Sequence, residues 1–138
     1  YVCGGEGEIG RTALRFSPRR SRWRDLPDMT MTRTFHGAAA VGGHLYVCGG
    51  KDGESSTTGC VERYDPRLGY WVAVAPMTEC RDHFVASAVA GGLVVCGGAV
   101  HHTLKYIRSL SSAECLDPSS GAWTAVRQML VPRNSHAG

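Results

Sequence analysis

Nowhere in the 138 residues does an apolar run approach the ~18 positions a membrane-spanning helix requires, and the opening Tyr1-Val2-Cys3-Gly4-Gly5 has neither the basic start nor the apolar stretch of a cleavable leader. Charge of one sign is scarce as well: 15 Lys+Arg stand against 12 Asp+Glu, a net +3, too little for a chain built to coat nucleic acid or an anionic membrane. With 20% charged and 43% hydrophobic residues, the composition excludes a disordered tail or a collagenous segment. An initiator methionine is missing too, so the chain is expected to be an excerpt of a longer protein. What is plentiful is glycine, 18 residues in all.

The glycines keep a period. Pairs at Gly4-Gly5, Gly49-Gly50 and Gly97-Gly98 each follow a cysteine, at separations of 45 and 48 residues. The tryptophans Trp23, Trp71 and Trp123 and the arginines Arg33, Arg81 and Arg133 recur at 48 and 52, each arginine four residues after a methionine. Several unrelated residue types sharing one period are the mark of a repeat architecture. Within a period, residues 37–42 and 44–48 read as two antiparallel strands, A and B, meeting at Gly42-Gly43. Residues 60–64 read as strand C, stopped by Asp65-Pro66, and 71–74 as strand D. The next period repeats the plan at 85–90, 93–96, 112–116 and 123–126. Four short strands per ~48 residues is the size of one propeller blade.

Leu45-Tyr46-Val47-Cys48-Gly49-Gly50, Glu62-Arg63-Tyr64-Asp65-Pro66, Trp71, Pro76-Met77 and Arg81 together resemble the kelch repeat. The third period carries Gly97-Gly98, Glu114-Cys115-Leu116-Asp117-Pro118, Trp123, Met129 and Arg133, with Leu116 at the tyrosine position; the first has Leu14, Phe16 and Ser17-Pro18 where Glu, Tyr and Asp-Pro are expected. The resemblance implies an all-β, kelch-type β-propeller, here a partial one of about three four-stranded blades. Its pieces fall at about 1–32, 33–80 and 81–132, with the start of another at 133–138. Kelch propellers close with about six blades, so an isolated piece is expected to self-associate through its open faces.

The resemblance also implies where a partner would bind. Strand A starts just after the repeat arginine and strand B ends at the double glycine, so both points reach one rim. The rim positions are Thr34, Phe35, Asp82, His83, Asn134 and Ser135 after the arginines, with Glu6, Lys51 and Ala99 after the glycines. In kelch adaptors such positions and the B–C loops line the peptide-binding face. Those loops vary: 11, 14 and 18 residues separate the second glycine from the strand-C tyrosine position. The longest carries His101, His102, Lys105, Tyr106 and Arg108, suited to an acidic peptide, with Tyr106 a flat, low-entropy contact.

No catalytic set is expected. Adjacent His101 and His102 point to opposite faces of a strand and have no cysteine or carboxylate at ligand spacing, so neither a metal nor another cofactor is expected. The six cysteines form no disulfide framework and read as free thiols, which points to a reducing, cytoplasmic setting, with Cys80 beside Arg81 a candidate sensor. The repeat arginines and tryptophans read as architecture, and Asp65 and Asp117 as caps of their turns. Arg15, Arg19, Arg20, Arg22 and Arg24 read as a solvated edge holding Ser21, a candidate phosphorylation site. The expected function is a protein-binding module, by resemblance the substrate-recognition part of a BTB-kelch adaptor for a cullin-RING ubiquitin ligase. The alternatives are an actin-binding cytoskeletal kelch protein and, remotely, an oxidase-like propeller enzyme. Neither nucleic acid nor membrane is expected as a partner.

Overall fold

Gly42 and Gly43 adopt φ of 58° and 81°, backbone that only glycine takes without strain, and this lets β4 (Gly37–Val41) turn directly back into β5 (His44–Cys48). The computed structural model describes residues 1–103 and 106–137. After β5 the chain forms a loop, then β6 (Val61–Asp65) and β7 (Tyr70–Val74), giving a four-stranded antiparallel sheet in the order β4-β5-β6-β7. The next sheet has the same plan, from β8 (Val85–Val89) and β9 (Gly92–Cys96) to β12 (Ala113–Asp117) and β13 (Ala122–Val126). The first sheet holds three strands, β1 (Val2–Cys3), β2 (Ala13–Ser17) and β3 (Arg22–Leu26), one fewer than the repeat's four. Among the described residues no helix is long and apolar enough to cross a membrane.

These sheets stack face to face, which explains why strand β5 is apolar without alternation. Leu45 and Val47 pack toward the first sheet with Ala13, Met29, Tyr64 and Trp71, while Tyr46 and Cys48 pack toward the third with Val61, Phe84, Leu93 and Val95. Trp71 begins the outer strand and donates its Nε1–H to Pro27 O at 2.8 Å; Trp123 does the same to Ala75 O at 2.9 Å. Each tryptophan thus closes the seam to the preceding sheet.

The repeat arginines are the joints. Arg33 is wholly buried and donates through Nε and Nη2 to Glu62 Oε1 at 3.2 and 3.0 Å, and through Nη1 to the carbonyls of Gly49 and Cys60, both at 2.9 Å. Arg81 repeats the arrangement on Glu114, Gly97 and Ser112. A Cβ on Gly49 would meet Arg81 O at 2.5 Å and one on Gly50 would meet Thr34 O at 2.4 Å, so the double glycine is the price of this close approach.

The loop between β9 and β12, the longest of the variable loops in the sequence, folds as a two-stranded ribbon, β10 (Ala99–Thr103) against β11 (Tyr106–Ser109). Its base is pinned by Leu110 N–H on Gly98 O at 2.8 Å, just as Thr58 N–H on Gly50 O at 2.9 Å pins the loop after β5.

Candidate functional site

Two residues after each repeat arginine the backbone turns left-handed: Phe35, His83 and Ser135 have φ of 54°, 52° and 50°. For residues other than glycine this conformation costs about 1–3 kcal/mol, and here a ladder between sheets holds it. His83 N–H donates to Phe35 O at 2.9 Å, and Ser135 N–H donates to His83 O at 2.8 Å. The side chains follow the backbone, so the imidazole of His83 stacks on the ring of Phe35 with centroids 4.0 Å apart and planes 18° apart. Lys51 Nζ lies 5.7 Å from the centre of the Phe35 ring, in cation–π range.

This stack divides the rim into two clefts. One, of about 360 Å³, is lined by Glu6, Thr34, Phe35 and Lys51 together with Asp52 and Ser55. The other, of about 230 Å³, is lined by His83, Ala99, His101, Ile107, Asn134 and Ser135. Thr34 and Lys51 bond each other's backbone, and Asp82 pairs with Ala99 in the same way, which brings the residue after each arginine beside the residue after the glycines.

Asp82 differs from its expected place among the exposed contacts. It is wholly buried, because its carboxylate gathers three partners from three segments. Oδ1 accepts from His83 Nδ1 at 2.7 Å, and Oδ2 accepts from His101 Nδ1 and from Thr57 Oγ1, both at 2.8 Å. Thr57 Oγ1 in turn accepts the backbone N–H of His101 at 3.2 Å. A buried carboxylate costs several kcal/mol unless its lone pairs are used, and here they are. With Nδ1–H of both rings given to Asp82, each histidine keeps Nε2 for an incoming group. Asp82 is therefore a positioning residue under the rim.

Arg108, a candidate contact for an acidic partner, is exposed and paired through Nη2 with Glu79 Oε1 at 2.5 Å, and Glu79 Oε2 accepts from Ser112 Oγ. Asn134 is exposed and donates to Ser109 Oγ at 2.6 Å, which ties it to the ribbon. Lys105 lies outside the described residues; His102 and Tyr106 enter only as strand positions of the ribbon. Thr57 and Ile107 were not among the sequence candidates, since both sit in loops that break the period.

All six cysteines are free thiols. Burial pushes the Cys3 thiol up to about 11 and the Cys48 thiol up to about 12, so both stay protonated and act as small hydrophobes. Among the described residues no group of three or more His, Cys, Asp or Glu side chains is arranged to hold a metal ion.

An alignment over 69 residues that covers 44% of this chain is 38% identical to Kelch-like protein 9 of Mus musculus. That match covers 11% of the mouse protein, so the chain spans a small part of the length of its curated relative. The kelch motif matches residues 32–78 and 80–130, the stretches that carry the two complete sheets, both buried Arg–Glu joints and most of the rim. The chain is a partial β-propeller, and it belongs to the kelch-repeat family.

Proposed function

We propose that the rim formed by Phe35, His83, Ser135 and the flanking loops is the partner-binding face, and that the parent protein is a substrate-recognition adaptor of a cullin-RING ubiquitin ligase. One observation carries the reading: three equivalent residues stay in costly left-handed backbone beside two clefts, although the glycine that would relieve the strain is used freely elsewhere in each repeat. Strain kept at the same place in successive blades has a use in display, since it turns an aromatic, an imidazole and a hydroxyl toward the rim. Glu6, Thr34, Lys51, His101 and Asn134 are the remaining contacts of this reading, with His102, Lys105 and Tyr106 added from the sequence alone. The imidazoles offer Nε2 for a hydrogen bond, Lys51 a donor, and the Phe35 face a flat apolar platform, a set that fits a short polar peptide with one apolar anchor. Recognition proceeds without chemistry, on loops held by a rigid scaffold. The relative's name, Kelch-like protein 9, supports the family role but not the ligase itself. The free thiols support a reducing, cytoplasmic setting.

The test is affinity capture from cells with the full-length protein, wild type against a Phe35→Ala/His83→Ala variant. Ligase subunits retained by both baits, and one further protein lost only from the variant, are the expected pattern; that protein's binding segment is then titrated as a peptide. If the variant retains every protein, the rim assignment falls. Capture of actin without ligase subunits replaces the adaptor with a cytoskeletal role.

A further inference from the structure

The turn between the third and fourth strands is built differently in the first sheet. In the turn from β6 to β7, Asp65 Oδ1 accepts the backbone N–H groups of Arg67 at 2.8 Å and Leu68 at 3.2 Å. In the turn from β12 to β13, Asp117 Oδ1 accepts the backbone N–H of Ser119 at 2.8 Å, and its Oδ2 accepts Ser120 Oγ–H at 3.0 Å. The matching position on β2 is Ser17, whose side chain makes no such bond. The carboxylate that both sibling turns contain is missing there.

Around the missing charge, five exposed arginines have gathered: Arg15, Arg19, Arg20, Arg22 and Arg24. The third blade carries Cys115, Ser119, Ser120, Ala122 and Thr124 at those places, all uncharged. The register sets Arg15 directly opposite Arg24 and Ser17 opposite Arg22, so these four side chains share one face of the sheet. Like charges directly opposite are destabilising in the free protein. Among the described residues none of the five pairs with a carboxylate; Asp28, beyond the other end of β3, is engaged by Arg11 at 3.5 Å. Arg15, Arg19, Arg20 and Arg24 line, with Ser17, one cleft of about 310 Å³. It lies at the end of the sheet opposite the rim, since β2 pairs with β1 at Ala13 and runs away from Gly4-Gly5 to Ser17.

We propose that this cleft binds a compact anion bearing several phosphate groups, of the inositol polyphosphate class, either free or as the headgroup of a lipid. Planar guanidinium forks match phosphate oxygens two at a time, and four of them around one concavity call for more than one phosphate. An extended nucleic acid fits less well. A single strand needs a stripe of charge with aromatic faces for stacking, whereas Trp23 lies on the other face of the sheet, against Phe16 at 5.0 Å. The bound anion takes the place of the carboxylate the sibling turns carry within the chain. This site stands apart from the rim and does not rest on the adaptor reading.

The test is calorimetric titration of the full-length protein with inositol hexakisphosphate at physiological salt. Wild type is expected to bind, and Arg19→Ser/Arg24→Thr, which installs the third blade's own residues, to weaken binding at least about tenfold. Ser17→Asp restores the sibling carboxylate; it is expected to weaken binding to a similar degree while the melting temperature holds or rises, which separates lost binding from lost folding. Sedimentation with phosphatidylcholine vesicles, with and without phosphatidylinositol bisphosphate, tells the sources apart. Pelleting that free inositol hexakisphosphate competes away identifies a lipid headgroup, and no pelleting with retained calorimetric binding identifies the soluble anion. No binding by wild type, undiminished binding by Ser17→Asp, or tighter binding of duplex DNA than of inositol hexakisphosphate overturns the proposal.

Discussion

Arg81 and Glu114 meet with no exposed surface on the guanidinium and an Nη2–Oε1 distance of 2.8 Å, across the seam between two successive sheets. The same seam one blade earlier is closed by Arg33 and Glu62 at 3.0 Å. Removing one partner strands the other as a buried charge, and such losses run to about 3–5 kcal/mol. Arg81→Ala is expected to lose that much stability in urea denaturation, and an Arg81→Met/Glu114→Leu double variant to lose much less. Equal losses in the single and double variants would remove the buried-charge explanation.

Acid should weaken the same joint. Burial by itself would push the Glu114 carboxyl up, but bonds from Thr78 and Arg81 outweigh it and hold the group below its ordinary 4.5. A carboxyl so held contributes stability that is whole above its unfolded value and is lost as pH falls through the lower folded one. Asp65, held low chiefly by the Arg67 backbone N–H, and Asp117, held low chiefly by Ser119, add to the same slope. Melting temperature measured downward from neutral pH should fall below pH about 4.5, and Glu114→Gln should flatten that fall. An unchanged slope in this variant would assign acid lability elsewhere.

Relieving the strained rim should separate stability from binding. His83→Gly and Phe35→Gly place the residue that tolerates φ near 50° in backbone already there. Relief of about 1–3 kcal/mol competes with the entropy glycine brings to the unfolded chain, with the lost ring stack and, at His83, with the lost bond to Asp82. Either variant is expected to hold its melting temperature within a few degrees and to lose partner affinity more than about tenfold. Full affinity in both would show that these rings do not touch the partner.

Asp82 gives the complementary case. Asp82→Ala leaves His83, His101 and Thr57 without their common acceptor, so the ribbon loses its anchor while the sheets keep theirs. Hydrogen exchange should quicken in residues 99–103 and 106–109, with β9 and β12 unchanged. Exchange that rises evenly through the sheet would make Asp82 a core residue rather than a support of the rim.

How much of this was legible follows from the spacing of the partners. The double glycines, the tryptophan seams and the hairpin turns recur because each blade demands the same backbone, so a single sequence displays them two or three times. The Arg–Glu joints were half legible: both members recur, but 29 residues separate one pair and 33 the other, because loops of different length intervene. The cluster on Asp82 could not be read. Its partners lie 1, 19 and 25 residues away in unrelated segments, and no period links Thr57 to His101. The arginines of the first turn stood out as a charge run, yet their meaning depends on Ser17, which matters only once the siblings' carboxylates are seen bonded to their turns.

Leu110 on Gly98 and Thr58 on Gly50 act as clasps at the feet of two loops of unequal size. Whatever lies beyond a clasp is mechanically outside the propeller: doubling its length costs only about 0.6 kcal/mol in closure entropy, and no sheet shifts to accommodate it. The rim is in this sense a row of sockets, where one insert can be exchanged for another of different length and chemistry while the stacked sheets beneath continue to fold as before.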